Sequence, residues 1–491
     1  MPATADNPAM PPMQPGAISN VPAAPLSSAL YVFLLDSLNS EPQDQVNVRQ
    51  QVLTFLQKLD PGTEVAVFSL GSSLRLLQGF TSDPHLLLAA LSPTHAERAP
   101  MAQTRSDNAD DAQHMAHLAA MHSAVPQLEQ YNRAESPQAY SFGARTSMTF
   151  EALSALARYL EGIPGRKNLI WFSSSFPVVF FPTPSEMEHL KNNPALRGYM
   201  NHVQQTANLF TLSKIAVYPV SGTGVASSNI DLAESAGSGR AGGSNGTGAF
   251  AAESLNSASA LASMTQLASS TGGRAFTTND IGAALRAILH ESDVYYTVGY
   301  SPSDATTDDG FRRIDVKVSG GKYKLAYRHG YNAESSAAIG SQQEDPIVPL
   351  LQYGLPDATG ILYGASVTPS TDHDGNPAGQ NPQIKGSLTR YTVSFTLRAQ
   401  DVSFGRAPNG ERIAKLLIGV KAYGGDGSAL NWQANREDAE LTPEQYASIL
   451  TNGLPVKLEI DLPAKLPAQL VTAVYDWNTG RAGTLEIPLH P

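Results

Sequence analysis

The chain has 491 residues, 42% apolar and 16% charged, enough for two or three packed domains, which excludes global disorder. Its net charge of -11, with Lys and Arg scattered and no basic stripe, excludes an ordinary nucleic-acid binder. With no cysteine, it also excludes disulfides, thiolate catalysis and Cys-ligated zinc or iron–sulfur centres.

The N-terminus, MPATADNPAMPPMQPGAISNVPAAPL, is Pro/Ala-rich and has neither a basic region nor an apolar h-region. Over residues 1–28 it reads as a disordered leader or a truncated start, and not as a signal peptide. No stretch approaches the roughly 20 apolar residues of a membrane-spanning helix. From Ala29, strands and helices alternate. ALYVFLL is a continuous apolar run, as a strand buried on both faces requires. A helix over Gln43–Leu59 is stopped by Pro61-Gly62. EVAVFSLG and LRLLQGF form two strands about a Gly-Ser turn, and TSDPHLLLAAL opens a short helix behind a capping residue.

Residues 92–145 are polar and weakly periodic, an insertion of part helix and part loop. A helix over Phe150–Glu161 then leads through Pro164-Gly165 into a strand over Asn168–Phe172. A helical stretch to Ser213, the strand IAVYPVSG and a flexible Gly/Ser-rich loop over 222–250 follow. Next come a helix in SLNSASALASMTQLASSTGG, the short strand RAFTT and the helix IGAALRAILHES. Strands separated by helices imply a doubly wound, mostly parallel α/β sheet. Three strands in direct succession, DVYYTVGYSP, FRRIDVKVSG and YKLAYRHGYN, are expected to complete it with an antiparallel edge. Residues 333–350 read as a linker. From 351 to 491, RYTVSFTLRA, RIAKLLIGVKAYG, PVKLEIDLP, AQLVTAVYDWN and GTLEIPL suggest an antiparallel β-sandwich, interrupted by the helix TPEQYASIL.

One stretch carries most of the functional interest. In LLDSLNS, an apolar strand ends in Asp36, followed by hydroxyls and an amide. Oxygen donors at the carboxyl end of a strand suit a divalent cation, which takes about six hard oxygens, and strand ends are where open α/β sheets bind ligands. Alternatively, Asp36 or Ser40 caps the following helix by accepting from its free N–H groups.

The segments LLDSLNSEPQDQ, GTEVAVFSLGSSLRLLQGFTSD, RTSMTFEALSALARYLEGIPGRKNLIWFSSSFP, AVYPVSGTG and DVYYTVGYSP…FRRIDVKV recur in an order that resembles a von Willebrand factor type A (VWA) domain. Their wording is closest to a bacterial subgroup, the VWFA-related proteins of Acidobacteria. The resemblance covers most of residues 29–332 and implies a VWA/Rossmann-like fold. It also implies an extracytoplasmic location and binding of a protein ligand, through an acidic residue of that ligand that completes a weakly held Mg²⁺ or Mn²⁺ or binds the loops without one. The family's metal loop reads D-x-S-x-S, completed by a Thr and an Asp from two other loops. Asp36 and Ser40 match its first and last positions, and Thr146 or Thr149 the threonine. Leu38 stands where the middle serine belongs, and Ser174, within Ser173–Ser175, where the second carboxylate belongs. The site is therefore degenerate, with Asn39, Ser173, Ser174 and Ser175 left as partner-binding groups.

Other patterns read as ordinary structure. His114, His117 and His122 sit in a polar insertion, TDHDGN (Thr371–Asn376) is a turn lacking a calcium loop's closing Glu, and GSGRAGGSNG lacks a phosphate loop's Lys. Arg166 and Lys167 suit the carboxyl end of the preceding helix, and Trp171 a core position. No nucleophile elbow or zinc-helix motif occurs. The expected function is a non-enzymatic binding or adhesion module, with no catalytic residue. The alternatives are an envelope scaffold that binds through the β-sandwich and a hydrolase using an unrecognised site.

Overall fold

A computed structural model describes residues 9–22, 29–91 except 41, 137–174, 206–221 except 207, and 264–292 except 266. It further describes 295–299 except 297, 311–332 except 322, 324 and 329, 345–370, and 377–489 except 382, 383, 385 and 465. The chain begins in an edge strand, β1 (Ile18–Ser19), and then enters an α/β unit. This holds β2 (Ala29–Asp36), α1 (Pro42–Leu56), β3 (Glu64–Leu70), β4 (Leu74–Thr81), α2 (Pro84–Ala90) and α3 (Pro137–Glu161). It continues with β5 (Arg166–Ser173), β6 (Ile215–Ser221), β7 (Phe276–Thr277) and α4 (Ile281–Ser292). The sheet order is β4-β3-β2-β5-β6-β7, parallel except for β4. Counted along the chain this is 3-2-1-4-5-6, the doubly wound order.

The apolar run of β2 explains why helices cover both faces. Successive side chains of a strand point to opposite sides. Leu30, Val32 and Leu34 pack into one core with Leu153, Leu156 and Leu160 of α3. Tyr31 and Phe33 pack into the other with Val48 and Val52 of α1 and Leu285 and Ile288 of α4. Each such fully buried side chain contributes about 1.5–3 kcal/mol. The expected cap of α2 is Asp83, whose Oδ1 accepts from the His85 N–H at 2.8 Å.

Three expectations are corrected here. The antiparallel strand of the main sheet is β4, at the opposite edge from the one foreseen. β8 (Phe311–Arg313) and β9 (Gly330–Asn332) instead form a separate two-stranded ribbon, and the described residues of 295–299 are not in strand. The helix before β5 starts at Pro137, so residues 137–145 belong to it and not to an insertion. Residues 9–22 are not a disordered leader. β1 pairs antiparallel with a strand of the C-terminal unit, and buried Asn20 donates to the Ala358 and Ile361 carbonyls and accepts from the Tyr363 N–H. Residues 92–136 and 222–250 lie outside the described residues.

The C-terminal unit contains β10 (Tyr363–Pro369), β11 (Leu388–Leu397), β12 (Gly405–Arg406), β13 (Arg412–Gly424) and β14 (Ala429–Leu441). After α5 (Pro443–Asn452) come β15 (Leu454–Pro463), β16 (Ala468–Asp476) and β17 (Ala482–Leu489). Two antiparallel sheets, β1-β10-β11-β15 and β12-β13-β16-β17 with β14 beside β13, bury one apolar core. Val393 and Phe395 meet Ile418, Val420, Leu470 and Val474 there. Part of the expected linker belongs to this unit, since Ile347, Leu350 and Leu351 are buried against it. The α5 helix opens with a capping box between Thr442 and Gln445.

The two units meet at the carboxyl end of α3. The Thr359 hydroxyl accepts from the Gly162 N–H at 2.8 Å and donates to the Tyr159 carbonyl at 2.7 Å. The Thr359 N–H donates to the Arg158 carbonyl at 3.0 Å. Any side chain at Gly162 would collide with the Thr359 carbonyl, so this close approach requires glycine.

Candidate functional site

In the observed strand order the connections diverge on either side of β2. β3 lies to one side and β5 to the other, so their carboxyl ends open a crevice at a topological switch point. Asp36, the last residue of β2, stands there, 3% exposed.

Asp36 accepts four hydrogen bonds from its own unit. Its Oδ1 accepts from the Asn39 N–H at 2.9 Å. Its Oδ2 accepts from Asn39 Nδ2 at 2.9 Å, Trp171 Nε1 at 3.0 Å and Ser173 Oγ at 3.0 Å. Burial pushes its carboxyl above the usual range, while the bonds from Asn39, Trp171 and Ser173 pull it down. Asn39 also donates through Nδ2 to Thr149 Oγ1 at 2.9 Å, and Thr149 donates to the Arg145 carbonyl at 2.7 Å within α3. One knot thus ties β2, the loop 37–40, β5 and α3. Next to it, Ser40 Oγ accepts from the Ser174 N–H at 3.0 Å, and Ser37 Oγ donates to the Leu70 carbonyl at 2.8 Å.

The structure brings together Asp36, Asn39, Ser40, Thr149, Ser173 and Ser174 of the expected set. Thr146 lies in α3, but its side chain and all of Ser175 fall outside the described residues, as do the His114–His122 cluster and Thr371–Asn376. Neither reading of Asp36 holds in its simple form. It accepts from Asn39 before α1 begins at Pro42, so it fastens the loop instead of capping that helix. The residues also do not fit a divalent cation. Three of the four donors occupy Oδ2, so a cation could draw on Oδ1 alone, and one carboxylate oxygen among neutral hydroxyls is a poor set for a divalent ion. Among the described residues, no three or more His, Cys, Asp or Glu side chains gather.

Two participants were not legible as site residues. Trp171 was expected in the core and is fully buried there, but its indole N–H is also spent on Asp36. Gln45, one turn into α1, donates from Nε2 to the Ser37 and Ser40 carbonyls at 3.2 and 2.9 Å and holds the loop from outside. Beside the knot is a pocket of about 40 Å³ lined by Ser37, Ser40, Gln45, Arg49, Ser69 and Leu77. Small-molecule sites run to roughly 300–1,000 Å³, so this pocket suits one projecting side chain and not a cofactor.

A second polar cluster lies at the far end of α3. Glu161 Oε1 accepts from Arg481 Nε at 2.9 Å, and Arg158 donates to the Gly480 carbonyl at 3.0 Å. Lys167, 1% exposed, donates from Nζ to the Ile163 carbonyl at 2.7 Å, the role its position beside the helix end suggested. Burial, reinforced by nearby Lys214 and opposed by Glu161, pushes the Lys167 amine down to about 7. Arg166 donates to the Tyr218 hydroxyl and the Gly272 carbonyl.

Among the described residues, no helix is long and apolar enough to cross a membrane. No protein-family model matches the chain, and no curated protein matches it. Similar solved structures include an aerotolerance-related membrane protein from Bacteroides fragilis, 12% identical over 54% of this chain and 99% of that one, with a TM-score of 0.27. A conserved hypothetical protein BatB from Bacteroides thetaiotaomicron is 9% identical over 54% of this chain and 97% of that one, with a TM-score of 0.24. A von Willebrand factor type A protein from Catenulispora acidiphila is 8% identical over 94% of this chain and 66% of that one, with a TM-score of 0.26. The fold assignment rests on strand order and register: a doubly wound α/β unit joined to a unit of two antiparallel sheets.

Proposed function

We propose that the protein is a non-enzymatic binding module, acting outside the cytoplasm, whose strand-end face takes a protein partner. The observation that carries this reading is the switch-point crevice. It combines a loop pinned by Asp36 with an adjacent pocket sized for one side chain. A surface that is rigid before binding loses little conformational entropy on association. The C-terminal unit contacts α3 at its carboxyl end, about 18 Å along the helix from Thr149. That placement leaves the crevice clear of it.

The scaffold reading has one observation in its favour. The 13-residue β14 pairs only with β13 among the described strands, leaving a long edge. Exposed Asn435, Arg436, Asp438 and Glu440 line it, and charges on an edge strand discourage pairing with another chain. We therefore favour the crevice. The reading that the two antiparallel sheets form a β-sandwich belongs to this proposal too, with that unit as a rigid mount.

The test is site-specific photo-cross-linking in the producing cells, with the cross-linker at position 37 in the crevice or at position 438 on β14. A discrete adduct from position 37 supports the proposal. Adducts from position 438 alone would transfer the function to the C-terminal unit.

A further inference from the structure

Arg49 is a half-buried cation that lines the crevice pocket, one turn after Gln45 on the same face of α1. Among the described residues no carboxylate pairs with it. The nearest acid of the pocket wall is Asp36, whose two oxygens are turned to Asn39, Trp171 and Ser173. Burial lowers the guanidinium, and no neighbouring acid offsets the effect. Arginine at a partly dry wall normally meets an acceptor, because its planar fork matches a carboxylate with two parallel hydrogen bonds. Beside it, Ser40 Oγ accepts from the Ser174 N–H, and among the described residues its own proton is uncommitted. The pocket therefore presents donors where the resemblance had implied a metal.

We propose that Arg49 and the Ser40 hydroxyl form a seat for the side-chain carboxylate of an acidic residue on the protein partner, held directly and with no metal between them. This rests on the reading of the strand-end face as the binding surface and specifies its chemistry. Arg49 supplies the bidentate contact and Ser40 a third donor. The Asp36 knot fixes the loop that carries Ser40. The pocket's volume of about 40 Å³ has room for a carboxylate.

The test uses the full chain and a blocked tripeptide, acetyl-Gly-Asp-Gly-amide, with its Asn counterpart as control. Binding is followed by NMR shifts of the backbone amides of residues 37–40 and α1. The Asp peptide should bind saturably, on the order of 10-fold tighter than the Asn peptide, equally in Mg²⁺ and in EDTA. Arg49→Gln should abolish that discrimination, and Arg49→Lys should restore part of it. Equal binding of the two peptides, discrimination that survives Arg49→Gln, or a requirement for Mg²⁺ would each overturn the seat. Inorganic phosphate binding while neither peptide does would assign the pocket to free oxyanions and overturn the protein carboxylate. If position 37 captures a partner whose affinity is unchanged in Arg49→Gln, the seat fails and the strand-end reading stands. If the peptide discrimination holds but position 37 yields no adduct, the seat stands and that reading fails.

Discussion

Two buried carboxylates lie along α3, Asp36 beside its middle and Glu161 at its carboxyl end, and the two are held in different ways. Asp36, at the strand carboxyl ends, receives four hydrogen bonds from neutral donors of its own unit. Glu161, at the amino ends, meets a guanidinium from the other unit, with Arg158 and Lys167 within its electrostatic reach. Neutral donors fix a carboxylate's direction and with it the shape of a loop. A cation supplied from elsewhere in the chain fixes where that other segment sits. Asp36 therefore shapes the crevice, and Glu161 docks the C-terminal unit.

The sharpest way to break that contrast is Asp36→Ala. It removes the acceptor of four buried hydrogen bonds from Asn39, Trp171 and Ser173, at about 1–3 kcal/mol for each donor that finds no substitute. The losses are not additive, and a destabilisation of about 4–5 kcal/mol is expected, read from urea midpoints with near-ultraviolet dichroism reporting on Trp171. Asp36→Asn keeps one acceptor oxygen and should cost about half as much. Glu161→Gln comes next, at about 2–4 kcal/mol, because it leaves Arg481 and its neighbours without a counter-charge. Arg481→Met should cost less alone, and the double variant less than the sum. Additive losses would show that Glu161 does not hold the units together.

A smaller effect with the opposite sign belongs to Lys167. Its folded-state value of about 7 lies below the unfolded lysine value, so the unfolded chain binds more protons between pH 7 and about 10.4. Stability attributable to this residue should rise with pH across that window and be flat below it, where both states are protonated. Lys167→Met should stabilise the protein at pH 7, by at most about 5 kcal/mol and by less once the bond to Ile163 is lost, and should flatten that slope. A slope unchanged in Lys167→Met would assign it to other groups.

How far the sequence foretold this depends on the kind of signal. The doubly wound sheet was legible because β2, β3, β5 and β6 are unbroken apolar runs, a pattern set by burial on both faces. β14 was missed because NREDAEL alternates charge on an edge that only β13 covers. β1 was missed because two residues carry no period, and its anchor, Asn20, works through contacts more than 300 residues away. The first half of α3 was assigned to an insertion because its apolar spacing starts only near Met148. The site was legible as a place but not as a chemistry. Asp36, Asn39, Ser40 and Ser173 do meet, yet no local pattern reveals that Trp171 turns its N–H toward Asp36, since that depends on strand register.

The smallest expected effect is the one that separates an inherited metal loop from a hydrogen-bonded knot. To ligate Mg²⁺ through Oδ2, Asp36 would have to give up the bonds from Asn39, Trp171 and Ser173, and the ion would gain one carboxylate and neutral oxygens in return. Mg²⁺ dehydrates reluctantly and is held by carboxylates or phosphates, so that exchange is unfavourable at both ends. Titrating Mg²⁺ or Mn²⁺ into the full chain should give no saturable heat and no change in unfolding temperature, with Asp36→Asn behaving identically. A saturable heat lost in Asp36→Asn would mean that the knot opens for a cation. Asp36 and Glu161 would then differ in strength of hold, and the crevice would be the looser of the two sites.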